Sequence, residues 1–352
     1  MADSVKVAVV GVGNCASSLA QGLSYYSRER DEATLPGLMS PLIGNYRVSD
    51  VKIVAAFDIS ANKVGQDLAR AISQVPNDTL GFAEVRATGV FVSRGPTLDG
   101  VSATCRDSIT ESQEPPADVR RILAESGADV VINYLPVGSD QAAYHYAEAA
   151  IKAGCAFVNC MPTPLARAPE WAHRFETAGL PVIGDDIKSQ VGATIMHRVL
   201  ARLFQDRGVA IGRTYQLNIG GNMDFLNMAE PQRGRSKEES KVRSVNSLLH
   251  TELPSSRLAA GVSYVPGLGD RKTAYIRIEG SGFGGSPIFV DLKLDVWDSP
   301  NSAGVAIDAV RYAKRALDRK EGGPVIAACA YLMKSSPAEL AEADARDALQ
   351  AL

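Results

Sequence analysis

No Cys-x-x-Cys pair occurs in this chain, and its five cysteines, at positions 15, 105, 155, 160 and 329, are odd in number. This argues against a disulfide framework and predicts free thiols in a reducing cytoplasm. Histidine is scarce. The four residues are widely spread and offer no metal-ligand spacing, so no metal site is expected from them. A basic excess is missing too: the net charge of -3 provides no electrostatic footprint for nucleic acid. No apolar run approaches the roughly 18 residues of a membrane span. The opening Met1-Ala2-Asp3-Ser4 leads directly into a strand-like run, without the charged-then-apolar layout of a signal peptide. Internal repeats and low-complexity tracts are absent. What remains is an ordinary globular composition, 45% hydrophobic and 22% charged, in a chain of 352 residues. That length suits about two domains.

Val5-Lys6-Val7-Ala8-Val9-Val10 is a short apolar run of the kind that forms a parallel strand buried on both faces. Gly11-Val12-Gly13-Asn14-Cys15-Ala16 follows at once, and Ser17 to Tyr25 reads as a helix. In this strand–turn–helix order Gly11 allows the tight turn and Gly13 lets backbone approach a pyrophosphate. Ala16 keeps the helix close to the sheet, and the helix N-terminus faces the phosphates. The second strand, Val51 to Phe57, ends at Asp58. An acidic residue there is placed to hold ribose hydroxyls, which favours NAD over NADP. The interval from turn to acid exceeds the usual ~20 residues; a polar, Pro- and Gly-containing insertion from Arg28 to Ser49 accounts for the excess.

Further strands with loops at their carboxyl ends are read at Asp129 to Ser139, Cys155 to Pro162 and Leu180 to Asp186, with a helix from Ala142 to Ala153. The alternation predicts a doubly wound parallel sheet, whose ligands sit beyond the carboxyl ends of the strands. Asn133, Leu135, Pro136, Ser139, Asn159, Asp185, Asp186 and Lys188 occupy those positions, although such residues also cap helices and make turns. After a helix from Val191 to Phe204 the pattern changes. Thr214 to Ile219, Ala274 to Gly280 and Ile288 to Val296 alternate apolar and polar residues, as half-exposed antiparallel strands do. A second domain is therefore expected at 205–296, with a sheet whose other face suits a subunit interface. Beyond Trp297-Asp298-Ser299-Pro300, helices from Ala303 to Arg319 and around Ala328 to Lys334 are expected to return to the first domain, which then comprises 1–204 plus 297–352. The Ala- and acid-rich tail from Ser335 is expected to be a surface helix.

Within the second domain, Arg235-Ser236-Lys237-Glu238-Glu239-Ser240-Lys241 sets two lysines four residues apart, with a serine ahead of each. On a helix that spacing puts both ammonium groups on one face. The spacing is also that of a solvated charged face, so its meaning depends on the motifs around it. Upstream, Asn218 to Phe225 forms a glycine-asparagine turn that can bring backbone close to a ligand.

Taken together, these motifs resemble the myo-inositol-1-phosphate synthases, in their shorter bacterial branch, from about Val5 to Pro337. The resemblance is carried by Gly11 to Ala16, Gly184-Asp185-Asp186-Ile187-Lys188-Ser189-Gln190, Gly220 to Met228, Ser236 to Lys241, Gly269-Asp270-Arg271-Lys272, Trp297 to Gly304 and Tyr331-Leu332-Met333-Lys334. It implies an NAD-binding Rossmann domain interrupted by an α+β catalytic and oligomerisation domain with an open sheet, assembled as a homotetramer in the cytoplasm. It implies a redox-neutral intramolecular lyase (isomerase) reaction on a sugar 6-phosphate: oxidation at C5, enolisation at C6, intramolecular aldol closure and re-reduction, giving inositol phosphate from glucose 6-phosphate. By the same resemblance Lys237 and Lys334 serve proton transfer at C5 and C6. Lys241 and Lys272 polarise the acceptor carbonyl and balance the phosphate, and Asp186 orients a lysine. Lys188, Ser189, Gln190, Asn222, Asp224 and Asp270 belong to the substrate site. Asn14, Cys15, Asn133, Leu135, Pro136, Ser139, Asn159, Asp185 and Asp298 join the cofactor site with Gly11, Gly13, Ala16 and Asp58.

The chain departs from the family pattern at Ala229-Glu230-Pro231-Gln232-Arg233-Gly234, where a Leu-Glu-Arg-Glu-Arg-type segment is usual. It departs again at Gly267 and Thr273, where bulky aromatics flank the Asp-x-Lys turn, and after Pro162. Lost bulk beside the substrate would admit a larger carbonyl end. Fructose 6-phosphate, closed to a five-membered cyclitol phosphate as in aristeromycin-type biosynthesis, is the alternative substrate. A simple NAD-dependent dehydrogenase would accumulate NADH, and a non-catalytic NAD-binding regulator would need no lysine constellation.

Overall fold

The computed structural model describes residues 4–27 and 35–352, so the insertion expected from Arg28 to Ser49 falls partly outside the described residues. β1 (Val5–Val10) buries every residue except Lys6, and α1 (Asn14–Tyr26) follows across the glycine turn. A hairpin of β2 (Leu42–Ile43) and β3 (Tyr46–Arg47) precedes β4 (Val51–Asp58). Then come α2 (Leu68–Ala71), β5 (Val92–Arg94) and α3 (Val119–Ser126). Asp118 starts α3 by accepting from the Arg121 N–H at 3.0 Å, and Gly127, at φ 62°, ends it. β6 (Val130–Asn133), α4 (Asp140–Ala153), β7 (Ala156–Asn159), α5 (Pro169–Thr177), β8 (Pro181–Ile183) and α6 (Ala193–Asp206) continue the alternation.

The next stretch holds β9 (Ala210–Gly220), α7 (Met223–Met228), α8 (Pro231–Asn246), β10 (Leu258–Tyr264), β11 (Arg271–Ser281) and β12 (Pro287–Trp297). The chain closes with α9 (Asp298–Asp318), β13 (Gly323–Pro324), α10 (Ile326–Leu332) and α11 (Glu342–Gln350).

Seven strands form one sheet in the order β13-β8-β7-β6-β1-β4-β5, all parallel. The order reverses at β1, between β4 and β6, and a sheet of this type binds ligands at that reversal. The glycine turn leaves β1 there. The main core gathers Val7, Val9, Phe57, Val131, Phe157 and Ile183 of the strands with Leu19 and Val310 of α1 and α9. α9 is longer than expected, beginning at Asp298 rather than Ala303. Its Arg311 is fully buried and donates to the carbonyls of Ser40 and Pro41 at 2.7 and 3.1 Å, which ties the β2–β3 hairpin to the sheet.

The second sheet has four strands in the order β10-β9-β11-β12. Three are those read from the alternation. The fourth, β10, runs parallel to β9 and is not legible in the sequence, because Leu-Ala-Ala-Gly-Val-Ser-Tyr shows no clean alternation. α6 packs Ala193, Phe204, Met196 and Leu200 against Ala274, Ile276 and Ile278 on one sheet face. The opposite face exposes Tyr215, Leu217, Tyr275 and Phe289. The C-terminal tail forms a surface helix with one buried edge, Ala345 and Leu349 of α11. Among the described residues no helix is long and apolar enough to cross a membrane.

Candidate active site

A cavity of about 300 Å³ opens beyond the carboxyl ends of β1, β4 and β6 and runs to the second sheet. Gly11, Val12, Gly13, Asn14, Cys15, Asp58, Leu135, Pro136 and Ser139 line one end; Asn222, Asp224, Lys237, Lys241, Lys272, Asp298 and Lys334 line the other.

At the first end Gly11 holds φ 89°, and a β-carbon there would come within 2.7 Å of the Tyr134 carbonyl oxygen. Gly13 caps α1 with no side-chain hydrogen bond, no acidic residue follows in the first turn, and a β-carbon on Gly13 would meet nothing within 4 Å. Free first-turn N–H groups facing open space fit a pyrophosphate. Asp58 accepts from the N–H of Val12, Ile59 and Ser60 at 2.8 to 2.9 Å and stays on the wall. These features fit a dinucleotide. Cys15 is half-buried, and the loss of solvent around its thiol, with Asp270 next, pushes it up to about 12; it stays protonated. Ala16 lies behind the turn in the core.

The other end is built on Asp186, which sits fully buried in a left-handed backbone, φ 63°, tolerated by Asp better than by most residues. One of its oxygens pairs with Lys237 at 2.8 Å and with Lys334 at 2.9 Å. The other accepts from the Ser240 hydroxyl at 2.8 Å. Ser240 also bonds Ser335 at 2.9 Å, and Arg243 donates to Ser335 at 2.6 Å. Burial opposes the Asp186 charge, but Lys237 and Lys334 outweigh it and hold the carboxyl well below its usual range. Burial likewise opposes the Lys237 charge, while Asp186 and Asp224 raise its affinity for a proton above the ordinary value. Lys334 goes the other way: burial, with Lys237 and Lys272, outweighs Asp186 and pushes it down to about 8. Lys272 pairs with Asp298 at 2.8 Å.

Lys241 differs from the other three. It is buried, and among the described residues its ammonium makes no hydrogen bond or ion pair. Burial, then Lys272, Lys334 and Lys237, push it down to about 7. The uncapped N-terminus of α6, Gly192 to Ile195, lines the same cavity with Ser189. A buried cation without a counter-ion beside free helix N–H groups is the setting an anion completes.

Several expected site residues stand elsewhere. Asp185 is a structural knot behind the wall. It accepts from the Asn159 side chain at 2.8 Å and from the N–H of Leu165, Ala166 and Arg167 at 3.1 to 3.2 Å. Asn159 and Asn133 are fully buried and bond each other at 2.9 Å; Asn133 in turn accepts from the Leu135 N–H. They shape the loop that carries Leu135 and Pro136 and do not line the cavity. Lys188 lies on the cavity lining, but its ammonium is held by the Ala330 carbonyl at 2.9 Å and Glu342 at 3.1 Å, which leaves its charge already balanced. The Gln190 amide bonds the Gly37 carbonyl. Asp270 is a buried hub that accepts from Asn14 at 3.3 Å, Asn222 at 2.8 Å, Thr79 at 3.0 Å and the Ser299 hydroxyl at 2.8 Å. It orients wall residues rather than forming the wall.

Residues missed from sequence also line the cavity: Gln216, Asn218, Thr194, Arg233 and Tyr134. The Gln216 carbonyl oxygen, the Tyr134 hydroxyl and one Asp224 oxygen are buried without a hydrogen-bond partner among the described residues. Polar Gln216 and Asn218, at alternate positions of a strand whose other face is exposed, were the available signal. The departures at Gly267 and Thr273 do not line the cavity. Gly267 lies in an exposed turn and Thr273 bonds Asp295 on the sheet surface, so the inference of lost bulk beside the substrate does not hold there.

The fold and the cavity define a Rossmann-type α/β protein whose crevice continues into a lysine-rich end built on a second sheet. A family model described as myo-inositol-1-phosphate synthase matches residues 192–299. The inositol-3-phosphate synthase of Mycobacterium tuberculosis is 56% identical over 347 residues, covering 98% of this chain and 95% of that protein. The one from Mycolicibacterium smegmatis is 54% identical over 354 residues, covering 99% and 98%. The chain belongs to the myo-inositol-1-phosphate synthase family. Among solved structures, that of Ari2 is 37% identical with a TM-score of 0.79 and covers 99% of both chains. A myo-inositol-1-phosphate synthase-related protein from Thermotoga maritima is 26% identical with a TM-score of 0.80, covering 99% and 98%.

Proposed function

We propose that the chain carries out the NAD-dependent, redox-neutral cyclisation of glucose 6-phosphate to a myo-inositol phosphate. The observation that carries this reading is Lys241, a buried ammonium without a partner among the described residues, set among three more lysines at the far end of a dinucleotide-type crevice. Relatives above 50% identity over nearly the whole chain are named for the same product class.

Bound NAD+ supplies the two-electron acceptor for the C5 alcohol and, once reduced, the donor that restores it. The proton transfers at C5 and C6 fall to the pair on Asp186. Lys334 is the member that loses its own proton near neutral pH, so it accepts from the C5 hydroxyl. After releasing the C5 proton to water, Lys334 accepts the C6 proton and delivers it to the closing C1 oxygen, while Lys237, kept charged by Asp186 and Asp224, stabilises the negative charge on the C5 oxygen. Lys272 polarises the acceptor carbonyl, and the unpaired Asp224 oxygen accepts a sugar hydroxyl. The phosphate takes Lys241, Ser189 and the first-turn N–H groups of α6.

In this reading 1–204 with 297–352 binds the cofactor and 205–296 is the catalytic and oligomerisation domain, a homotetramer forming through the exposed sheet face. The enzyme works in the cytoplasm.

The test is carbon NMR after incubation with NAD+ and glucose 6-phosphate or, in parallel, fructose 6-phosphate. A six-membered ring phosphate from glucose 6-phosphate, without lasting NADH absorbance, is expected. Steady NADH accumulation with no new carbon–carbon bond would sink the reading, and a five-membered ring from fructose 6-phosphate would replace the substrate.

A further inference from the structure

Arg233 stands one helical turn before Lys237 and two before Lys241 on α8, so the three side chains share a face. All three line the cavity. The Arg233 guanidinium is not spent on a carboxylate; among the described residues its contacts are backbone carbonyls. It donates to the carbonyls of Asp99 at 2.9 Å and Gly100 at 3.1 Å, and reaches those of Val137 and Gly138 at 3.5 Å. These carbonyls belong to two loops, 96–102 and 134–139, that wall the glycine-turn end of the cavity. The approach is close: a β-carbon on Gly138 would lie 2.9 Å from the Arg233 side chain. Asp99 ties the loops to each other by accepting from the Gln141 and Ala142 N–H groups at the start of α4. One planar fork thus joins both cofactor-side loops to the helix that carries two of the four lysines.

We propose that Arg233 is a positioning residue that couples filling of the dinucleotide end of the cavity to the placement of Lys237 and Lys241. The inference rests on the functional reading above for the nature of the two ligands. Loops held in place by a bound dinucleotide hold Arg233, and Arg233 holds the first turns of α8. Linkage then requires the reciprocal effect, tighter dinucleotide binding when the lysine end is filled. Lysine cannot replace the fork, since its ammonium is a point donor on a flexible stem and cannot span two loops. Other ties persist without Arg233: Asn227 to the Val137 carbonyl at 2.9 Å, and Glu230 to the Ala103 N–H at 3.0 Å. The variants are therefore expected to fold.

The experiment is an NADH fluorescence titration with and without glucitol 6-phosphate, which lacks a carbonyl and leaves NADH nothing to reduce. In the unsubstituted enzyme glucitol 6-phosphate is expected to tighten NADH by about fivefold or more, within the usual range of site coupling. In Arg233→Ala and Arg233→Lys that ratio is expected to fall to near one, with NADH affinity measured alone changing less than about threefold, and kcat for ring formation to fall about tenfold or more. Coupling absent from the unsubstituted enzyme, coupling retained in Arg233→Ala, or full rescue by Arg233→Lys overturns the proposal. The same titration with inorganic phosphate in place of glucitol 6-phosphate keeps the test valid if the sugar substrate is wrong. Failure of the substrate reading appears separately, as no ring product from the unsubstituted enzyme.

Discussion

Three lysines of one chemical type, Lys237, Lys334 and Lys241, occupy this site in different electrostatic states, and the difference lies in who shares each one's surroundings. Burial opposes the charge on Lys237, Lys334 and Lys241 alike; Asp186 and Asp224 outweigh it at Lys237, Asp186 does not outweigh it and the neighbouring lysines at Lys334, and Lys241 has three lysines against it, so the last two fall to about 8 and about 7. The pH dependence follows. The free enzyme needs Lys334 neutral, a fraction that grows as pH rises toward about 8, and Lys241 charged, a fraction that shrinks as pH rises through about 7. A plot of kcat/KM against pH is therefore expected to be bell-shaped with its maximum between these values. Lys334→Ala should keep NADH binding and lose turnover; near-normal activity in that variant rules Lys334 out as the base.

Lys241 also bears on stability. Its folded value of about 7 lies below the ordinary 10.5, so the unfolded chain binds the extra proton more readily. The penalty is fully present below about 7 and fades as pH rises toward 10.5. Lys241→Met is expected to raise the melting temperature at pH 7 while abolishing ring formation, a gain on the order of a few kcal/mol. A fall in melting temperature would show that the buried ammonium is not a liability.

At the scale of elements, two glycines in one turn do different work. Gly11 needs its positive φ and has the Tyr134 carbonyl against it, whereas Gly13 is in extended backbone with open space before it. Gly11→Ala should cost stability, while Gly13→Val should leave the melting temperature nearly unchanged and abolish NADH binding, because the side chain fills the space of the pyrophosphate. Loss of stability without loss of binding in Gly13→Val would contradict this division. α8 shows the same economy. Arg233, Lys237 and Lys241 face the cavity, Ser240 reaches Asp186, Ser244 meets Arg198, and Arg235 pairs with Glu239 in solvent. The four-residue spacing of the lysines was legible in the sequence. Arg233 extends the same stripe by one four-residue step, inside a segment whose composition otherwise departs from the family pattern.

Across the whole molecule, the last thirty residues return to the first sheet and complete the site. β13 joins the sheet edge, α10 leads to Lys334, and α11 is anchored where Glu342 meets both fully buried Arg198, at 2.7 Å, and Lys188, at 3.1 Å. Removing that carboxylate leaves two cations in the interior short of a partner. Glu342→Ala is expected to lose about 3–5 kcal/mol in urea unfolding and to lower turnover by loosening the segment that carries Lys334. An unchanged unfolding midpoint would mean Glu339 and the Leu340 carbonyl suffice for Arg198.

The parallel sheet, the glycine turn and the identity of the lysine-bearing segments were readable from the sequence, because each depends on neighbours within a few residues: an apolar run, a glycine where φ must be positive, a four-residue helical repeat. What the tertiary structure alone decided was the state and direction of each polar side chain. Asp185 and Asp186 are adjacent, yet one faces three backbone N–H groups and the other two ammonium groups. Lys188 and Lys334 each sit in a motif of the same family and both reach the cavity wall, yet the ammonium of one is held by Glu342 and that of the other by Asp186 beside Lys237. Charge interactions act through space and strengthen with burial, so segments around 186, 237, 272 and 334, remote along the chain, set one another's protonation only once the fold has brought them together.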